Sequence, residues 1–133
     1  MGSILYYERA VDLTALTGIT TLGSEQAKAT AYTLKSTEQF LDYLATHPNA
    51  TLRYYSSAMM LNIHLDASYA SEIGAKSRAV GHYFLGWKPR DNAPIRLNGA
   101  IYTLCNIMKF VLSSAAEAEL GALFMNAKEG RII

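Results

Sequence analysis

Two acidic residues stand where chemistry would follow from their spacing. Asp66 sits in Leu-Asn-Ile-His-Leu-Asp-Ala-Ser-Tyr, residues 61–69, where Leu61, Ile63, Leu65, Ala67 and Tyr69 alternate with polar neighbours. A period of two gives a strand with one apolar face and Asp66 on the other. Aspartate is unfavourable inside a strand because its short carboxylate competes for backbone donors. Either Asp66 has a task, or the strand ends at Leu65 and Asp66 opens a turn. Glu119 follows Ala116 by three residues and precedes Leu123 by four, on the flank of an expected helix stripe. If that helix lies on the sheet, Glu119 can face Asp66. Two carboxylates about 4 Å apart repel by roughly 4 kcal/mol at an effective dielectric near 20, so such a pair calls for a shared proton or a hard divalent cation.

Positioning those residues is the task of the surrounding elements. The chain has 133 residues, half of them hydrophobic, and a net charge of +1. That describes an ordinary globular protein, and nucleic-acid binding does not follow from its charge. The single cysteine, Cys105, excludes an internal disulfide and a multi-cysteine zinc site. No apolar run is long enough for a membrane span, and Met-Gly-Ser-Ile-Leu-Tyr-Tyr-Glu has no signal-peptide form. An intracellular protein, cytoplasmic or nuclear, is the expectation.

Between Ser3 and Thr46 the apolar residues recur at helical spacing: Leu13, Leu16, Ile19 and Leu22 in one segment, Leu34, Phe40, Leu41 and Leu44 in another. Two or three helices are predicted, stopped at His47-Pro48 because proline cannot continue the helical ladder. The period then changes. Ala50 to Tyr55 reads as extended, Ser71 to Lys76 as a turn, Arg78 to Trp87 as a second strand, and Lys88 to Pro94 as a loop. Ile101 to Leu112 reads as a third strand, which makes an antiparallel meander. Ser114-Ala115-Ala116-Glu117 has capping-box form and starts a helix with Ala116, Leu120, Leu123, Phe124 and Ala127 as its apolar stripe. The predicted fold class is therefore α+β: N-terminal helices, a three-stranded antiparallel meander, then one helix.

Basic residues gather in the meander and its loops: Lys76, Arg78, Lys88, Arg90 and Arg96, with Tyr83, Trp87 and Tyr102 among them. Contacts from several of them to phosphates would give salt-sensitive, sequence-independent affinity. The plainer alternative is a solvated loop surface.

The strings Leu-Asp-Ala-Ser-Tyr at 65–69, Gly-His-Tyr-Phe-Leu-Gly at 81–86 and Ser-Ser-Ala-Ala-Glu-Ala-Glu-Leu-Gly-Ala-Leu at 113–123 resemble, in that order, the ribonuclease H domain of copia-like retrotransposon polyproteins. Upstream, Gly-Ser-Ile-Leu-Tyr-Tyr-Glu-Arg-Ala-Val-Asp and Phe-Leu-Asp-Tyr-Leu-Ala-Thr-His-Pro-Asn-Ala-Thr-Leu-Arg-Tyr resemble the reverse-transcriptase tail and tether of the same polyproteins. The resemblance implies a helical tether over 1–55 and a partial ribonuclease H-like fold over 56–133. It further implies hydrolysis of the RNA strand of an RNA–DNA hybrid by two Mg2+ or Mn2+ ions. Asp66 matches the family's first-strand aspartate and Glu119 the glutamate of its first helix, both as catalytic residues and metal ligands.

The family also requires an aspartate on a fourth strand, and no acid before Ile133 matches it. With two carboxylates the ions would be weakly held if at all, so impaired cleavage is expected. The alternative is a non-catalytic binding or self-assembly module on the same partial fold. Self-association through the exposed edge of the first strand is a further expectation.

Overall fold

The computed structural model describes residues 2–133, which fall into two compact units, one ending at Leu52 and the other running Arg53–Ile133. The first unit is helical. Helix α1 spans Gly2–Ala10, α2 spans Leu16–Glu25 after a single 3-10 turn at Leu13–Ala15, and α3 spans Ala31–Thr46. Asp12 opens the 3-10 turn by accepting the Thr14 amide at 3.0 Å. Thr30 and Thr33 cap α3 reciprocally, each hydroxyl accepting the other's amide. As the proline requires, α3 stops with the His47 N–H donating to Tyr43 O at 3.0 Å.

Leu16, Ile19 and Leu22 form the buried stripe of α2. A Cβ at Gly18 would stand 3.0 Å from the Phe40 ring, so the missing side chain lets α2 and α3 approach closely. Glu8 is fully buried on α1, and neither carboxylate oxygen makes a hydrogen bond. Burial first and the charge of Asp12 second push its pKa up, against a smaller downward pull from the Ala15 backbone.

In the second unit β1 (Met60–Glu72), β2 (Lys76–Gly86) and β3 (Ala100–Ile107) form an antiparallel sheet in that order, followed by α4 (Ala115–Gly130). The β1–β2 register pairs Ile63 with Tyr83, Leu65 with Gly81 and Asp66 with Val80. Asp66 therefore lies in the body of β1, and the turn alternative is excluded. The ladder shifts between Ser68 and Glu72, where Ala70 has a φ of 51°. The turn that follows uses Gly74 and Ala75, both at positive φ. The third strand ends at Ile107 rather than Leu112, and Met108 hands its amide to Ser77 O at 2.8 Å.

Helix α4 begins as predicted. Ser114 accepts the Glu117 amide, while Glu117 reaches back to the Ser113 N–H at 2.6 Å, one residue earlier than the ideal box. Its buried stripe differs from the predicted one. Ala118, Ala122 and Asn126 face the sheet, whereas Leu120, Leu123 and Phe124 are exposed. The reason is volume. Tyr83, Leu104 and Met108 already fill the space above the sheet, so the helix approaches on small residues. Asn126 then lies over Gly81, where a Cβ would collide with its carboxamide. Tyr83 donates its hydroxyl to Asn126 Oδ1 at 2.7 Å, and burial pushes its pKa up to about 12. Among the described residues, no helix is long and apolar enough to cross a membrane.

Candidate functional site

Strand alternation decides where Asp66 points. Ile63, Ala67 and Ala79 belong to the core shared with Ala122, so the odd-numbered residues of β1 face α4 and Asp66 faces the opposite side. Its carboxylate is exposed, and Oδ1 accepts the Ala67 amide at 2.9 Å. Glu119 is also exposed. It lies two turns before Asn126 and three before Gly130, whose missing side chain admits Ile63 of β1. Glu119 thus occupies the flank of α4 that looks toward β1. The sheet separates the two residues that the sequence reading brought onto a common face: the carboxylates lie on different sides of β1. Among the described residues, no group of three or more His, Cys, Asp and Glu side chains could hold a metal ion.

The five basic candidates part company in the structure. Arg78 is buried on β2, where Nε donates to Glu72 Oε1 at 2.7 Å and Nη1 to Cys105 Sγ at 3.3 Å. The hydrogen bond it donates to Glu72 raises its already high pKa, more than burial lowers it. Its donors are thus engaged inside the protein, apart from the exposed cations with which the sequence groups it. Lys76 is exposed at the turn end of the hairpin, across from Glu72.

Lys88, Arg90 and Arg96 come together at the other end. With Trp87, Pro89 and Pro94 they line a cleft of 480 Å³. Proline at 89 and 94 stiffens the loop, and the Arg96 guanidinium lies 4.5 Å from the centroid of the Trp87 ring. Asn62, at the far end of β1, closes the floor by donating to Met60 O and Trp87 O. None of the described lining residues is acidic. No family model, curated protein or solved structure matches the chain.

Chemically, the cleft presents three cations and an indole within one concavity. That combination suits a phosphate and a flat ring held together, since guanidinium groups fork onto phosphate oxygens and an aromatic face stacks on a base. Sequence reasoning found the three cations but missed the Arg96 stack and the role of Asn62. The available signal was the position of Asn62 opposite Phe84 in the hairpin, which sets it beside the end of β2.

Proposed function

We propose that this chain is a non-catalytic nucleic-acid-binding module, and that single-stranded or locally unpaired segments enter the Trp87 cleft. The observation that carries this reading is the convergence of Lys88, Arg90 and Arg96 around one half-buried indole, with no acid among the described lining residues. A strand would lay phosphates along the cations and stack one base on the Trp87–Arg96 pair. Three phosphate contacts imply that affinity falls with salt at a slope of about −2 on logarithmic axes for a single strand. The setting we assign is intracellular, cytoplasmic or nuclear.

Fluorescence anisotropy with labelled single-stranded RNA, single-stranded DNA and an RNA–DNA hybrid tests this. Affinity for the single strands should be weakened by Arg96→Ala and Trp87→Ala and left intact by Lys76→Ala. Equal binding by all four proteins would refute it.

Descent from the ribonuclease H domain of a copia-like element is a second reading, favoured by the placement of Glu119 on the α4 flank nearest β1. On that reading Mg2+ or Mn2+ joins Asp66 and Glu119 only after β1 slips by one residue, which turns Asp66 to the face covered by α4. Metal-dependent cleavage of a hybrid, abolished by Asp66→Asn, would establish it and displace the non-catalytic reading.

A further inference from the structure

Within the unit Arg53–Ile133, β1 pairs on one side only, with β2. Edge strands are commonly protected by lysine, proline or a bulge. The regular stretch Met60–Ser68 has no Lys, Arg or Pro, and the irregularity at Ala70 lies beyond it. The opposite edge differs. Beside the start of β3, the Tyr54 hydroxyl donates to Ala100 O at 2.9 Å, and Tyr55 exchanges hydrogen bonds with the Asn98 side chain.

We infer that the open side of β1 docks a second copy of this chain, antiparallel, with Leu65 on the twofold axis. Charge selects this register. A centre at Leu65 sets His64 of each copy opposite Asp66 of the other, twice by symmetry, and Ile63 opposite Ala67. Shifting the centre to Asp66 opposes two carboxylates, and shifting it to His64 opposes two imidazoles. The Ala67 amide faces the open edge and donates to Asp66 Oδ1 at 2.9 Å; on docking it would pass to the Ile63 carbonyl of the second copy, freeing the carboxylate for the partner's imidazole. Both His64 and Asp66 are exposed on the face away from α4.

A second feature fits the same axis. Helix α4 packs on both β1 and β2, so its axis runs about half a strand spacing inside β1. The twofold axis lies half a spacing outside it. Since strands are about 4.8 Å apart, the two α4 helices would run antiparallel on one face at roughly 10 Å, the distance at which helices pack. Leu123, half exposed and on the side turned toward β1, would be covered there. The product is a continuous six-stranded sheet with a helix pair over its centre.

Sedimentation velocity on the full chain, from about 1 to about 300 µM, tests the assignment, a range chosen because an interface of one ribbon and one helix flank is small. The wild-type chain should form dimers within this range. His64→Asp should weaken the dimer about tenfold or more, and adding Asp66→His to that variant should restore it, since the exchange returns an Asp–His pair only in the Leu65-centred register. Leu65→Cys provides a check that does not depend on charge, because opposed Cα atoms in an antiparallel pair fall within disulfide reach. It should give a covalent dimer under mild oxidation, reversed by reductant. A wild-type chain that is monomeric throughout, a double exchange that stays as weak as His64→Asp, or Leu65→Cys that does not cross-link would overturn the inference.

Discussion

The two ends of the β1–β2 hairpin carry the same residue types in opposite circumstances. At the turn end, Arg78 is buried and held by Glu72 and Cys105. At the open end, Lys88, Arg90 and Arg96 are exposed around Trp87. Counting basic residues along the chain merges these ends into one patch. Burial and pairing separate them, because a guanidinium whose donors are engaged inside the protein has nothing left to offer a phosphate. Charge becomes a binding feature only where the partner is absent and solvent can be displaced.

The largest effect expected from this contrast is on stability. Arg78→Ala strands Glu72 beside a vacated buried site and should cost about 3 kcal/mol in urea unfolding. The figure sits at the low end for a broken buried pair because the Glu72 side chain is 14 % exposed. Next comes Trp87→Ala, which should weaken single-strand binding by about 2 kcal/mol in anisotropy titrations. Its melting temperature should change far less than that of Arg78→Ala.

Glu8 extends the contrast to a buried charge without a partner. Its raised folded pKa means that the folded state holds its proton to higher pH than the unfolded state does. Its contribution is therefore fully present below the ordinary carboxylate range and is lost as pH rises through the folded pKa. Glu8→Gln should stabilise the helical unit by about 1 kcal/mol near neutral pH and flatten that dependence, read by thermal unfolding across pH. The smallest effect belongs to Lys76→Ala, expected to stay within about 0.5 kcal/mol in stability and to leave affinity unchanged.

Much of the architecture was legible because local signals are strong where they are short-ranged. Pro48 ends α3, Ser114 starts α4, and the alternation from Leu61 marks β1. The α4 stripe was not, because choosing Leu120, Leu123 and Phe124 assumes that the largest apolar side chains go inside. Here Tyr83 reaches up from the sheet, and Ala118 and Ala122 accommodate it from the helix. That is a property of two elements together and is invisible in either alone. The same limit applied to the site. Periodicity placed Asp66 on the polar face of its strand correctly, yet which face the helix covers depends on the whole meander, and α4 took the other one.

Trp87, at the centre of the cleft, is the only tryptophan in the chain. Its intrinsic fluorescence therefore reports the cleft directly. Titrating the protein with a short unlabelled single-stranded oligonucleotide at low salt should quench that emission to saturation, and raising the salt should reverse it. Emission that stays unchanged through the titration at low salt would contradict the assignment of this cleft to nucleic acid.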